Sequence, residues 1–205
     1  MPLECLTSAM LSGAVIASGF SQRFGRDKLS AALAGRPLLA WAVEAISFLK
    51  HRAVVLQPSD VNKSLIPPDY TVLVNTRASR GLSAGIRLAA SWTPAESEGL
   101  VIVLGDMPFT KSVVKRLVDV FRSECCEAVS ACLAGEPSPP AVFSKKLLQR
   151  LLMLEGDVGA KSILKTVGAR VVEVDERLLT DVDTVEDLAK AEKTFEELGG
   201  FKYLD

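Results

Sequence analysis

A loop rich in glycine and in cationic side chains follows the first apolar run of the sequence. It spans residues 17–28 and carries two glycines together with Arg23, Arg26 and Lys28. Backbone N–H groups and cationic side chains that meet in one loop form a cradle for phosphate groups. The loop is not a Walker A motif, because neither Ser nor Thr directly follows Lys28, and it lacks the dinucleotide fingerprint G-x-G-x-x-G. We therefore predict phosphate binding here, with an ordinary flexible loop as the alternative.

Carboxylates follow two later apolar runs. Asp106 lies in the segment Gly105–Pro108, directly after a run rich in Val, Ile and Leu, and Asp181 and Asp183 precede the last helical pattern. Mg²⁺ is commonly held by one or two carboxylates together with phosphates of the substrate. Asp106 is therefore a candidate metal ligand that either of the other two could join. The alternatives are a turn cap at Asp106 and a helix N-cap at Asp183 or Thr184.

A third candidate segment, residues 75–87, has the sequence NTRASRGLSAGIR and joins an apolar run to a helical pattern. Its small residues allow a flat base to approach the backbone closely. We take Asn75, Gly81 and Ser83 as candidate nucleotide contacts. A plain loop with a glycine-rich helix start explains the same residues equally well.

Hydrophobic periodicity predicts the elements that position these residues. Short apolar runs predict strands at residues 11–17, 53–57, 70–74, 100–104, 128–133 and 169–174. Amphipathic patterns predict helices at residues 37–50, 111–124, 145–154 and 184–198. We expect a loop at residues 135–140 and a short strand at 142–143. This alternation predicts an α/β fold with a mostly parallel sheet and helices on both faces, whose ligand site lies at the carboxyl ends of the strands.

Length and composition narrow the class of protein. The 205 residues, 48% of them hydrophobic, are enough for one core and few for two, so we predict one domain over residues 1–205. A net charge of −1 argues against nucleic-acid and membrane partners. With no apolar run of about 18 residues and no convincing signal peptide, we expect a soluble, cytoplasmic protein.

The cysteines and the single histidine predict no metal or disulfide framework. The four cysteines contain no C-x-x-C pair, so we expect buried thiols. One imidazole, His51, cannot build a multi-histidine metal site, and we expect it to face solvent near a helix C-terminus.

Five segments occur together in the order found in one known family. The chain resembles the MobA-like nucleotidyltransferases, the molybdenum cofactor guanylyl- and cytidylyltransferases, at residues 17–29, 81–84, 105–108, 156–161 and 181–188. The resemblance implies a Rossmann-like, three-layer nucleotidyltransferase fold. It also implies a Mg²⁺-dependent transfer of CMP or GMP from CTP or GTP to the terminal phosphate of molybdopterin or the molybdenum cofactor, with release of pyrophosphate.

The resemblance also assigns roles to individual residues. It implies that three residues of the first loop line the nucleotide: Ala17, Ser18 and Gly19. It implies that Arg23 and Lys28 bind phosphates and, with the Mg²⁺ ligand Asp106, form the catalytic set. Asp183, the second candidate metal ligand, stands where guanylyltransferases tend to have asparagine.

Different segments of the sequence indicate different bases for the nucleotide. Residues 156–161 and 181–184 look like the cytidylyltransferase branch, whereas residues 26–28 look like the guanylyltransferase branch. Ser18 stands where the family usually has alanine or glycine. We predict a modest preference for CTP. Pro139–Ala141 stands where many cytidylyltransferases have Gly-His-Pro, so the pterin-side pocket departs from the family pattern.

Two other functions fit the same residues. One is a nucleotidyltransferase for a sugar phosphate or another small phosphate, and the other is a non-catalytic accessory protein that carries nucleotide or cofactor. Under either the leading or the accessory interpretation, molybdoenzymes or cofactor chaperones are candidate protein partners. The cations Arg23 and Lys28 and the carboxylate Asp106 favour catalysis, because a carrier does not need to stabilise a leaving group.

Overall fold

The computed structural model describes residues 10–20, 22–25, 27–58, 61–156 and 159–200. Within them the chain forms nine strands and six α-helices. The strands are β1 (Leu11–Ile16), β2 (Ala32–Leu33), β3 (Arg36–Pro37), β4 (His51–Leu56), β5 (Thr71–Val74), β6 (Gly99–Leu104), β7 (Ala128–Leu133), β8 (Glu136–Ser144) and β9 (Arg170–Glu173). The helices are α1 (Leu38–Glu44), α2 (Leu82–Trp92), α3 (Lys111–Glu124), α4 (Leu148–Leu152), α5 (Lys161–Thr166) and α6 (Val185–Glu197).

Seven strands form one mostly parallel sheet in the order β5-β4-β1-β6-β8-β7-β9. Strand β8 runs antiparallel to both of its neighbours, and the other pairs are parallel. Strands β2 and β3 form a separate two-stranded ribbon. The predicted sheet type is confirmed. Since β4, β1 and β6 are parallel neighbours, the loops after them meet at one edge of the sheet.

Helices cover both faces of the sheet, which confirms the three predicted layers. On one face α1, α3 and α6 bury apolar side chains such as Trp41 and Leu117 against Val15. On the other face α2, α4 and α5 pack Ile86 against Ile16. Because both faces are buried, the central strands read as continuous apolar runs in the sequence.

The prediction of a loop at residues 135–140 is wrong. Strand β8 begins at Glu136 and pairs with β7 across a two-residue turn at Ala134 and Gly135. Both turn residues have positive φ, 51° and 76°, as tight hairpin turns require. The prolines that read as loop residues lie in the strand, and the predicted short strand at residues 142–143 is its inner end.

Two other sequence expectations change. Helix α1 ends at Glu44, and His51 is the half-buried first residue of β4 rather than a solvent-facing residue near a helix end. Its Nε2 atom lies 3.3 Å from Glu96 Oε1. Cys132 is buried, but Cys125 and Cys126 are half-buried, and Cys5 lies outside the described residues. None of the described helices has the length and apolar character needed to cross a membrane.

Candidate active site

The loops after β1 and β6 approach each other closely at the carboxyl edge of the sheet. The backbone N–H of Gly105 donates to the carbonyl of Ile16 at 2.9 Å. A Cβ atom at Gly105 would lie 2.8 Å from the Cβ atom of Ala17, closer than real side chains pack. Glycine is therefore required for this approach, which brings Asp106 against the cationic loop.

Four predicted site residues form one ion-pair cluster. Lys28 Nζ donates to Asp106 Oδ2 at 2.7 Å and to Asp183 Oδ1 at 2.8 Å. Arg23 contacts the other oxygen of Asp183, with Nη2 2.5 Å from Oδ2. Lys28 is 7% exposed, whereas the Arg23 side chain is 72% exposed. The cluster thus has a buried lysine at its centre and an exposed arginine at its mouth.

The structure shows which residue, Asp183 or Thr184, caps the N-terminus of α6. Thr184 is the N-cap, and its hydroxyl accepts from the N–H of Asp187 at 3.1 Å while the Asp187 carboxylate accepts from the N–H of Thr184. Asp183 is therefore not needed as a cap. The N–H of Val182 donates to the carbonyl of Asp106 at 3.0 Å, which ties this segment to the loop after β6.

Electrostatics keep Lys28 charged. Burial alone lowers the pKa of Lys28, but the charges of Asp106 and Asp183 and their hydrogen bonds outweigh it, so the pKa lies above its ordinary value of 10.5. Desolvation, followed by the negative charges of Asp106 and Asp183, raises the pKa of Asp181. The carboxylates exceed the buried cation in number, which makes the floor of the site attractive to further positive charge.

The residues present fit a Mg²⁺ ion that is completed by substrate oxygens. Oδ1 of Asp106 is buried and accepts no hydrogen bond from the described residues. Asp106 and Asp183 face a common point, since Lys28 bridges them. Among the described residues no group of three or more His, Cys, Asp or Glu side chains could hold a metal by itself. Two carboxylates plus phosphates match the way proteins bind Mg²⁺.

Two residues that position Lys28 were not singled out from the sequence. Asp27 accepts from the N–H of Leu29 at 3.0 Å and from the side chain of Asn62 at 2.8 Å. These bonds fix the backbone on either side of Lys28. In the sequence, Asp27 is marked only as part of the segment 26–28 that resembles the guanylyltransferase branch, and nothing marks Asn62, which is distant in the chain.

The candidate nucleotide contacts join two loops. The side chain of Asn75 donates from Nδ2 to Ser18 Oγ at 2.9 Å, and its Oδ1 atom accepts from the N–H of Arg77 at 3.0 Å. Gly85 lies beneath this pair, where a Cβ atom would be 3.2 Å from Ser18 Oγ and 2.8 Å from Ile16 Cγ2. Asn75 thus connects the loop after β5 to the loop after β1.

The loop after β1 has one more polar contact that the sequence did not reveal. Gln57 Nε2 donates to the carbonyl of Gly19 at 2.9 Å. Because Gln57 directly follows β4, it holds Gly19 at the carboxyl edge of the sheet.

A cleft of about 550 Å³ contains most of the predicted residues. Its lining includes Ser18, Gly19, Arg23, Lys28, Gly81, Asp106 and Asp183. Ala17 is buried beneath the loop, while Asn75 and Ser83 line an adjacent groove. The N–H of Ser83 lies 3.3 Å from the carbonyl of Gly156. Of the motif residues, Ser21, Arg26, Asp157 and Val158 lie outside the described residues.

Comparisons with known proteins show the family of this chain. Residues 13–174 match the family described as the MobA-like NTP transferase domain. The purine catabolism protein PucB of Bacillus subtilis is 30% identical over 202 residues, which cover 89% of this chain and 96% of that protein. A probable molybdenum cofactor guanylyltransferase of Aquifex aeolicus is 30% identical over 183 residues, which cover 86% of this chain and 87% of that protein.

A similar fold occurs among solved structures. Rv0371c from Mycobacterium tuberculosis aligns with a TM-score of 0.77 at 22% identity, covering 90% of this chain and 99% of that chain. Its complex with manganese aligns with a TM-score of 0.76 at 20% identity, with the same coverage.

The match to this family model over most of the chain, together with the mostly parallel sheet flanked by helices, defines the protein as a nucleotidyltransferase. Within that class, the chain belongs to the MobA-like NTP transferase family. The resemblance read from the sequence motifs is thereby confirmed.

Proposed function

We propose that this nucleotidyltransferase uses Mg²⁺ to transfer CMP or GMP from CTP or GTP to molybdopterin or the molybdenum cofactor. An oxygen of the acceptor's terminal phosphate attacks the α-phosphorus, and the bond from that phosphorus to the bridging oxygen breaks. The bonding electrons leave with pyrophosphate. The observation that carries this proposal is the ion-pair cluster in which Lys28 contacts both Asp106 and Asp183.

The side chains of the cluster suit a reaction in which charge moves between phosphate oxygens. Such transfers depend on alignment and on neutralising charge rather than on a nucleophilic side chain. Lys28 supplies a point charge at the floor of the cleft, and Arg23 offers a planar fork at its mouth. We assign both cations to the triphosphate, with Arg23 on the phosphates that depart.

Asp106 and Asp183 would hold the Mg²⁺ ion. When bound, the ion supplies further positive charge to the oxygens of the triphosphate. The unpartnered Oδ1 of Asp106 supports this assignment, and the manganese complex of the related fold in Rv0371c is consistent with it. Lys28 contacts Asp106 through Oδ2, which leaves Oδ1 of Asp106 for the ion.

The observations disagree about which base the protein prefers. Relatives named for guanylyl transfer support GTP, whereas the segments at residues 156–161 and 181–184 favour CTP. We retain CTP as the preferred substrate. Ser18 is placed to act on this choice, because its hydroxyl accepts from Asn75 and keeps its own proton for donation to a base.

The acceptor is assigned to the side of the cleft next to β8. A cavity of about 230 Å³ shares Leu82 and Leu104 with the nucleotide cleft and is lined by Pro137, Pro139 and Ala141 of that strand. The names of several relatives, which refer to the molybdenum cofactor, support molybdopterin as the acceptor. The name of PucB connects a relative of similar identity with purine catabolism.

The proposal is tested by incubating the protein with Mg²⁺ and each of the four nucleoside triphosphates, with and without molybdenum cofactor. We expect pyrophosphate release that needs both the cofactor and either CTP or GTP. A sugar phosphate that replaces the cofactor would instead support the broader alternative of a small-phosphate nucleotidyltransferase. Tight nucleotide binding without pyrophosphate release under any condition would support the accessory protein and overturn catalysis.

A further inference from the structure

Three arginines line a groove on the outer face of α2. The groove has a volume of about 850 Å³ and lies beside the catalytic cleft. Arg77 and Arg80 belong to the loop before α2, and Arg87 belongs to the helix. Among the described residues that line the groove, Glu155 is the one acidic side chain. The groove is therefore strongly positive, although the net charge of the whole chain is −1.

These guanidinium groups are not used within the described part of the chain. There, neither an ion pair nor a side-chain hydrogen bond involves Arg77, Arg80 or Arg87, whereas Arg170, for example, pairs with Glu124 at 2.8 Å. An arginine that already pairs within its own chain has fewer free N–H groups with which to bind a ligand. Three guanidinium groups without a partner among the described residues therefore lie in one groove, where they can bind anions.

The floor of the groove is partly apolar. Val74, Leu88 and Leu152 line it together with the hydroxyl groups of Ser79 and Ser91. Val74, the last residue of the edge strand β5, is 42% exposed and offers apolar surface to a ligand. A ligand that fits both the rim and the floor must carry negative charges and apolar groups together.

The spacing of the arginines favours an extended ligand. Arg80 precedes the helix, and Arg87 lies in its second turn, about 7 Å further along the axis from the helix start at the rise of an α-helix. One phosphate group spans less than this separation. A chain of carboxylates matches it, and each guanidinium can hold one carboxylate through two hydrogen bonds. We propose that this groove binds an acidic segment of a protein partner that also carries apolar side chains.

The groove and the catalytic cleft share one loop. Ala78 and Gly81 line the cleft, while Arg77 and Arg80 line the groove. A partner segment in the groove therefore lies against the back of the loop that borders the nucleotide. This places the partner beside the nucleotide, next to the candidate contacts Asn75 and Ser83 that line the same groove.

The test is fluorescence anisotropy with a labelled peptide of repeated Glu-Glu-Leu units, added to the full chain. We expect saturable binding that weakens as salt is added. The variant Arg77→Gln/Arg80→Gln/Arg87→Gln should bind at least about tenfold more weakly. A control that removes the same charge from other exposed positions, Lys115→Gln/Arg116→Gln/Lys193→Gln, should bind within about twofold of the wild type.

Two comparison probes decide the class of ligand. A peptide with glutamine in place of glutamate should not bind, and inorganic tripolyphosphate should not displace the acidic peptide from the groove. Equal affinity of the two triple variants for the acidic peptide, or no saturable binding by the wild type, would overturn the proposal. Binding of tripolyphosphate that depends on the three arginines, without peptide binding, would overturn it in favour of a small-anion site. These readings do not depend on turnover, so the nucleotidyl-transfer proposal stands or falls separately.

Discussion

The ammonium group of Lys28 lies 2.7 Å from Asp106 Oδ2, although the two residues are separated by 78 positions in the chain. The same ammonium group also contacts Asp183 at 2.8 Å. Among the described residues that line the cleft, Lys28 is the buried cation, and it pairs with both carboxylates that we assign to Mg²⁺. This relationship links stability, metal binding and phosphate binding in one set of atoms.

The first prediction concerns the replacement of Lys28 by a neutral side chain. Lys28→Met leaves two neighbouring carboxylates without their cation, so we expect the free energy of unfolding at neutral pH to fall by about 2 kcal/mol. That is less than the ~3–5 kcal/mol of a fully buried pair, because both carboxylates keep contact with water. Mg²⁺ should recover much of the loss, since we assign it to the same two carboxylates.

A matched control is available for this experiment. Lys111→Met removes a lysine that pairs with Glu44 at 2.9 Å and is not part of the cleft lining. Urea denaturation of both variants, with and without Mg²⁺ at equal ionic strength, should show magnesium rescue of Lys28→Met alone. Equal rescue of both, or of neither, would contradict the assignment of the carboxylates to the metal.

The pH dependence of the wild type follows from the raised pKa of Lys28. A group whose pKa is higher in the folded than in the unfolded state stabilises the fold below its ordinary value, here 10.5. That stabilisation is lost as the pH rises through the higher, folded-state pKa. Denaturation measured across the alkaline range should therefore show a loss of stability above pH 10.5 that is missing in Lys28→Met.

The second prediction concerns Arg23. Since its side chain is 72% exposed, Arg23→Ala should change the free energy of unfolding by less than about 0.5 kcal/mol. Turnover should nevertheless fall sharply, in kcat as well as in KM, because the guanidinium acts on the departing phosphates. Arg23→Lys should restore part of the rate, and Arg116→Ala, on the exposed face of α3, should change neither constant. A rise in KM alone would show that Arg23 only binds the ground state.

The third prediction concerns the base. A ligand that binds only the folded state raises Tm in proportion to RT ln(1 + [L]/Kd). In the presence of Mg²⁺ we expect CTP to raise Tm more than GTP does, and both to raise it more than ATP or UTP. Ser18→Ala should reduce the difference between CTP and GTP. Stabilisation by GTP alone would reverse the predicted preference and leave the reaction class unchanged.

The fourth prediction concerns the contact between the loops after β1 and β6. Gly105→Ala would place a methyl group 2.8 Å from the side chain of Ala17, so the loops must move apart. We expect a loss of about 1–3 kcal/mol in the free energy of unfolding, as in other overpacked sites. In contrast, the methyl group added by Gly19→Ala would have no atom within 4 Å, so this variant should leave the free energy of unfolding unchanged. Similar unfolding curves for the two variants would disprove the close approach.

The central strands and the main site residues could be predicted because their signals are local. A strand buried on both faces is an uninterrupted apolar run, and the residues that follow it in a parallel sheet converge at one edge. That rule directed attention to the loops that carry Lys28 and Asp106. The choice between Asp183 and Thr184 as the cap of α6 needed the structure, since both residue types cap helices well.

Other features depend on contacts between distant parts of the chain. The hydrogen bond from Asn62 to Asp27 leaves no trace in either local sequence. The prolines of β8 favoured a loop because proline cannot donate to a sheet, but the tight turn at Ala134–Gly135 returns the chain into the sheet. The bridging position of Lys28 between two carboxylates is likewise a tertiary feature, which the sequence presents only as a cation in a loop.

The most direct test of nucleotidyl transfer follows the labelled phosphates of CTP and GTP in the presence of Mg²⁺ and molybdenum cofactor. The account predicts that an α-phosphate label moves to the cofactor and that a γ-phosphate label leaves as pyrophosphate. It also predicts that Asp106→Asn, while still folded, slows both by at least about a hundredfold, or ~2.7 kcal/mol. Release of the γ label as inorganic phosphate, or near-normal transfer by folded Asp106→Asn, would contradict the account.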